Sequence, residues 1–244
     1  MKRVLIVGGA NGIGLSVAME LSKREDTEKI YVVDKVLLEK GKEFDKMESF
    51  RFDLAVDDYA FFDRFHDIDT LVITAGFGKL GLFRDVPESY IVDSFNVNAV
   101  APIRLVKHFY PMLESKQDFF CGIMVSISGY MSSPFFAVYS ATKAALRIFI
   151  ESVNIELEKS GATNRILNVS PGSIQGTSFN GGETDTKQTK ELAQDIIAHL
   201  ERKDDLLIPK YEEVFREVLE RYHKDFRAEG IRSYEYKISS GRIH

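Results

Sequence analysis

Seven short runs of apolar, mostly β-branched residues recur along the chain, at 4–7, 30–33, 49–52, 70–74, 123–127, 166–169 and 206–208. Runs without polar alternation suit strands of a parallel sheet, because helices cover both of its faces. The segments between them, 14–22, 92–114, 139–159 and 189–201 among others, carry apolar residues at helical spacing. This alternation predicts an α/β fold with a doubly wound parallel sheet in three α/β/α layers. A length of 244 residues suits one such domain, and no repeat or low-complexity linker divides it. The expected organisation is a sheet-bearing region, 1–209, with 210–244 as a C-terminal helix and tail packed on the same domain. Apolar positions 211, 215, 218, 222 and 226 predict that helix, whereas 230–244 has too few apolar groups to fold alone.

Composition narrows the function classes. There are 32 Lys and Arg against 37 Asp and Glu, a net charge of −5, so no basic surface is expected to recover counterion-release energy from nucleic acid. The apolar run 4–7 stops at Gly8, too short for an export signal or a membrane span, and no stretch reaches 18 uncharged apolar residues. A cytoplasmic protein with no membrane partner is expected. Cys121 alone cannot form an internal disulfide, and no Cys/His cluster stands at metal spacing.

The first run leads directly into Gly8-Gly9-Ala10-Asn11-Gly12-Ile13-Gly14, where a helical pattern begins. Glycines at such a bend permit positive φ and let the backbone approach a pyrophosphate, which then meets free N–H groups at the helix start. The pattern predicts the turn of a Rossmann-type nucleotide site, the alternative being a glycine-rich turn that holds no ligand. Twenty residues on, Asp34 ends the second run, where a carboxylate accepts from ribose hydroxyls. It would repel a 2′-phosphate, and no Arg or Lys between Gly8 and Gly14 offsets it, which favours NAD over NADP. Lys35, adjacent, relaxes that preference. Asp53-Leu54 after the third run and Ala75-Gly76 after the fourth fit the same ligand, the first at the adenine and the second against the backbone.

Tyr139 and Lys143 stand i, i+4 on one predicted helix face. An ammonium beside a phenol favours the phenolate and lowers its pKa, which suits proton exchange with a carbonyl or alcohol oxygen. Ser126, thirteen residues earlier, is placed to hold the same oxygen, with Ser128 a competitor for that role. Asn98 sits inside a predicted helix, which Asn disfavours, and its side chain or a local kink would hold water leading to Lys143.

Taken in order, Gly8/Gly12/Gly14, Asp34, Asp53, Ala75-Gly76, Asn98, Ser126, Tyr139 and Lys143 resemble the short-chain dehydrogenase/reductase family. Pro171-Gly172-Ser173-Ile174 resembles the family segment that passes the nicotinamide, with Thr177 near its carboxamide or phosphates. The resemblance spans residues 1–209. Thr74 stands where the family usually has Asn, and Val7 where Thr is common. The resemblance implies NAD(P)-dependent interconversion of an alcohol and a ketone or aldehyde. In it Tyr139 is the acid/base, Lys143 lowers its pKa and binds the nicotinamide ribose, Ser126 orients the substrate oxygen, and Asn98 supports the proton relay. It also implies a homodimer or homotetramer, here through the helices bearing Phe95, Val106, Phe109, Leu146, Phe149 and Ile150. Residues 176–188 are a candidate lid. Phe77, Phe83, Pro134, Phe135, Phe136 and Phe179 would make an apolar substrate wall. The alternative is a dinucleotide-sensing binding protein without chemistry, which has no need of an intact Ser-Tyr-Lys set.

Overall fold

A computed structural model describes residues 1–38, 45–180 and 182–241. Seven strands form one parallel sheet in the order β3-β2-β1-β4-β5-β6-β7: β1 Arg3–Val7, β2 Lys29–Asp34, β3 Met47–Arg51, β4 Thr70–Ile73, β5 Phe120–Met124, β6 Ile166–Val169 and β7 Leu206–Leu207. The helices are α1 Gly12–Ser22, α2 Glu88–Phe95, α3 Ala101–Glu114, α4 Ala137–Ser160, α5 Thr186–Arg202, α6 Arg216–Lys224 and α7 Phe226–Ser239. Each central strand carries side chains into both layers. Leu5 and Val7 enter the core shared with α3 and α4, whereas Val4 and Ile6 enter the core shared with α1 and α5. The chain order reverses between β1 and β4, so the carboxyl ends of these two strands flank the crevice where ligands bind in open α/β sheets.

Three expectations change. The fifth strand is Phe120–Met124 instead of 123–127; Gly122 interrupts its apolar pattern, and it fits because Leu200 packs where its side chain would be. The helix expected over 92–114 is two helices joined by a π-helical turn at Asn96–Val100. Pro102 has no N–H to offer the Asn98 carbonyl four residues back, so the ordinary ladder cannot pass this point. The C-terminal stripe does not form one helix. Asp225 is extended and its side chain accepts from the N–H groups of Arg227 and Ala228, which starts α7 afresh. Polar and aromatic contacts order α7, the helix that occupies much of the segment read as unable to fold. Lys237 Nζ donates to Ser133 Oγ at 2.6 Å and to Pro134 O at 2.7 Å, and Tyr234 stacks on Phe135 with centroids 4.6 Å apart. Residues 242–244 lie outside the described residues.

Candidate active site

A cleft of about 1250 Å³ runs along the carboxyl ends of the strands. Its floor at one end is the turn from β1 to α1. Gly8 has φ +91°, and a Cβ there would lie 2.3 Å from Ala75 N, so only glycine lets β1 and β4 approach this closely. Gly12 has φ +52°, and a Cβ on Gly14 would meet Gly8 O and Thr74 Oγ1 at 2.4 Å each. Thr74, in place of the family's Asn, donates to Gly8 O at 2.8 Å and so braces the turn itself. At the start of α1, Asn11 makes no side-chain cap and the first turn holds no acid. Gly12 N–H is taken by Thr184 Oγ1 at 3.2 Å.

Of the turn residues, Gly8, Asn11, Gly12, Ile13 and Gly14 line the cleft. Gly9 does not, because its backbone packs against Ile6 and Val32 in the core. Asp34, Asp53, Leu54, Ala75, Gly76, Pro171, Gly172, Ile174 and Thr177 also line the cleft. Ala10 N–H donates to Asp34 Oδ2 at 3.0 Å, which aims that carboxylate across the turn. The Thr177 hydroxyl is turned inward, donating to Ile174 O at 3.1 Å.

Ser126 and Tyr139 line the other end of the cleft, and Lys143 is buried beside it, outside the lining. The connection from β5 to α4, 125–136, carries Ser126, whose Oγ accepts from Ser128 N–H at 3.2 Å and lies 3.0 Å from Ser128 Oγ. The two serines thus form one hydroxyl pair, and both line the cleft. Ser126 stands near enough to the Tyr139 phenol to favour its charged form. The Tyr139 ring lies 5.4 Å from Phe136 and 5.1 Å from Phe179, centroid to centroid. Lys143 Nζ is 5.7 Å from the Tyr139 centroid and donates to Met124 O at 2.8 Å. Gly76 sits between the groups: a Cβ there would lie 3.3 Å from Asn98 Oδ1 and 3.4 Å from Lys143 Nζ.

The expected electrostatics are reversed. Burial pushes the Tyr139 phenol up to about 12, with the Ser126 hydrogen bond opposing, and burial pulls Lys143 down to about 7. Desolvation outweighs any mutual stabilisation because both groups lose water and the ammonium's hydrogen bond goes to a main-chain carbonyl. Asn98 also differs. Its side chain is spent on Phe77, accepting from its N–H at 3.0 Å and donating to its O at 2.8 Å, with a further bond to Thr142 Oγ1 at 3.3 Å. At the kink, Pro102 has no N–H to give the Asn98 carbonyl its usual i+4 partner.

The apolar wall is half as read. Phe77, Phe136 and Phe179 line the cleft, joined by Met131 and Phe215. Phe83 points to solvent at 64 % exposure. Phe135, with φ +68°, turns away onto Tyr234, and Pro134 faces a separate groove with Phe226 and Ile231. Ser233, Tyr236 and Lys237 of α7 line the cleft and were missed. The apolar stripe carried a signal for Phe215, which fills the space a Cβ on Gly172 would need; nothing in the sequence marked the α7 residues. The candidate lid packs its Phe179 on Tyr139, and its residue 181 lies outside the described residues.

A doubly wound sheet with a glycine turn at its topological switch and a Ser-Tyr-Lys cluster beside it defines the class of Rossmann-type, short-chain dehydrogenase-like proteins. The family model for short chain dehydrogenase matches residues 2–188, and the chain belongs to that family. Human 17-beta-hydroxysteroid dehydrogenase type 1 is 27 % identical over 183 residues, covering 69 % of this chain and 56 % of that protein. Bovine retinol dehydrogenase 8 is 28 % identical over 152 residues, covering 62 % and 48 %. The chain thus spans about half the length of these curated relatives. A short chain dehydrogenase/reductase from Burkholderia phymatum, solved in complex with NAD, shares the fold with a TM-score of 0.76 at 16 % identity, covering 92 % of this chain and 93 % of the other. One from Burkholderia cenocepacia, in complex with NADP, has a TM-score of 0.75 at 20 % identity, covering 96 % and 99 %.

Proposed function

We propose that this chain is an oxidoreductase that interconverts an alcohol and a ketone or aldehyde, using a nicotinamide dinucleotide with NAD preferred. The observation that carries the reading is that Ser126 and Tyr139 line one end of a cleft whose other end is the glycine turn, with the buried Lys143 ammonium 5.7 Å from the Tyr139 ring centroid. The residues fit the dinucleotide. Close backbone approach at Gly8 and a start of α1 with no Asn11 side-chain cap and no acid suit a pyrophosphate, and Asp34 is oriented for ribose hydroxyls. Asp53, Leu54, Ala75, Gly76, Pro171, Gly172, Ile174 and Thr177 complete its lining.

A bound nicotinamide supplies or accepts the hydride. The chain's own groups handle the proton. With its pKa near 12, Tyr139 is a phenol at neutral pH, the form that donates from Oη to a carbonyl oxygen. The Ser126 hydroxyl, oriented by Ser128, holds that oxygen beside the phenol. Lys143, titrating near 7, is the acid that returns a proton to the Tyr139 phenolate left after donation, becoming the neutral amine, and it reaches the nicotinamide ribose. The Asn98 carbonyl, denied its usual i+4 donor by Pro102, is the acceptor for a water that feeds Lys143 from solvent.

Phe77, Phe136, Phe179, Phe215 and Met131 make the substrate end apolar, which supports a hydrophobic alcohol or ketone. Two relatives carry a hydroxysteroid and retinol in their names, in keeping with that class. Val106, Phe109, Leu146 and Ile150 serve the core, so self-association instead uses the exposed Val92, Val100, Ile148 and Ile155, pairing copies as a homodimer or homotetramer. Free Cys121 suits a reducing compartment such as the cytoplasm, and no described helix is long and apolar enough to cross a membrane.

Tyr139→Phe tests the reading. The variant folds, still quenches or shifts NADH fluorescence on binding, and loses turnover by about 10²-fold or more across an alcohol and ketone panel. Retained turnover refutes the assignment.

A further inference from the structure

Three charged side chains meet where β2 and β3 end beside the cleft. The parallel register pairs Asp34 with Arg51, and Phe52 N–H donates to Asp34 O at 2.8 Å, so Lys35 and Asp53 leave the sheet side by side. Lys35 Nζ lies 2.9 Å from Asp53 Oδ2. Both carboxylates are held by main-chain amides. Ala10 N–H donates to Asp34 Oδ2 and Ala55 N–H donates to Asp53 Oδ1, each at 3.0 Å. Lys35 is different: its side chain is 72 % exposed on a flexible four-carbon stem, so its ammonium is the member of the trio free to turn. The Lys35 hydrogen bond is also the main reason that the Asp53 carboxyl lies below the usual range, with Ala55 N–H next.

We propose that Asp53 sets the choice between the two nicotinamide dinucleotides by holding Lys35 away from the adenosine 2′ position. The inference rests on the dinucleotide reading of the cleft. A free 2′-hydroxyl donates to Asp34 and needs no cation. A 2′-phosphate brings roughly −1.5 to −2 charge into a corner with two fixed carboxylates. Lys35 is the countercharge in direct contact, Arg51 acting on Asp53 as the weakest of its influences, and Asp53 competes for Lys35. Preference for NAD therefore comes from two carboxylates acting differently: Asp34 repels the phosphate, and Asp53 withholds the cation that would accept it. Asp53→Asn keeps an acceptor for Ala55 N–H while removing the competing charge.

An exposed pair of this kind is worth up to about fivefold in an equilibrium, more at low ionic strength, and that sets the expected effect. NADH and NADPH are titrated by fluorescence onto the full chain and its Asp53→Asn, Lys35→Met and doubly substituted variants, at low and at 0.5 M salt. Asp53→Ser, which also accepts from Ala55 N–H, serves if Asp53→Asn does not fold. The ratio of dissociation constants is expected to move about fivefold toward NADPH on replacing Asp53, with the gain shrinking in salt. It moves toward NADH in Lys35→Met, and replacing Asp53 in the Lys35→Met background returns little. An unchanged ratio in both Asp53 variants, or an equal gain without Lys35, overturns the inference while leaving the dinucleotide site intact. Failure of the unsubstituted chain to bind either dinucleotide overturns the reading of the cleft, and this inference with it.

Discussion

Replacing Lys143 by Met is expected to make the protein more stable and inactive, and the gain should vanish at high pH. Lys143 is buried, and desolvation pulls its pKa from 10.5 to about 7. The sign follows from proton counting. Between pH 7 and 10.5 the unfolded chain binds this proton and the folded chain does not, so stability rises with pH through that window. Below pH 7 both states are charged, and the folded state carries the whole cost of burying the ammonium. A displacement from 10.5 to about 7, at 1.36 kcal/mol per pH unit, puts that cost at roughly 4 to 5 kcal/mol. Methionine has nearly the same length and no charge, so it escapes the cost. It also abandons Met124 O, now accepting from Lys143 Nζ at 2.8 Å, a loss of about 1 to 3 kcal/mol. The balance is a gain of roughly 2 kcal/mol at pH 7 and a small loss near pH 10.5. For a chain of this size the gain raises Tm by about 4 to 8 °C. Thermal unfolding followed by circular dichroism at pH 7 and pH 10, variant against wild type, measures both ends. A variant no more stable at pH 7, or a gain that does not depend on pH, refutes the account of a desolvated ammonium.

Gly8→Ala should cost at least about 3 kcal/mol and abolish NADH binding, because its methyl would sit 2.3 Å from Ala75 N at φ +91°; urea unfolding with fluorescence titration reads both effects. Asp225→Ala removes the acceptor for two N–H groups at the start of α7, so about 1 kcal/mol is lost, with proteolysis of the C-terminal segment accelerated first. Cys121, buried and pushed up to about 12, should resist iodoacetamide at pH 8 in the native state and react at once in urea. Light scattering at micromolar concentration should give the mass of two or four chains, and Ile155→Glu, at an exposed apolar position on α4, should lower it; a monomeric mass for the unsubstituted chain refutes self-association.

The sequence by itself determined the order of strands and crossover helices, because a parallel strand buried on both faces must be apolar throughout and a crossover helix must be amphipathic. It also determined the place of the glycine turn and the Ser-Tyr-Lys spacing, since these depend on local backbone freedom and on one helix turn. Even Pro102, which forces the π turn behind Asn98, was there to be read. Only tertiary structure decided the rest. Whether the ammonium of Lys143 lowers the phenol of Tyr139 or both are shifted the other way depends on how much water each loses, and burial is a property of the packed whole. Phe135 and Phe136 are neighbours in the chain, yet one faces the cleft and the other Tyr234, because a single positive φ turns them apart. The C-terminal segment looked too polar to fold because its partners, Ser133 and Pro134 among them, lie about a hundred residues earlier. Contacts between such distant segments leave no periodic mark on the sequence, and they are what closes the substrate end of the cleft.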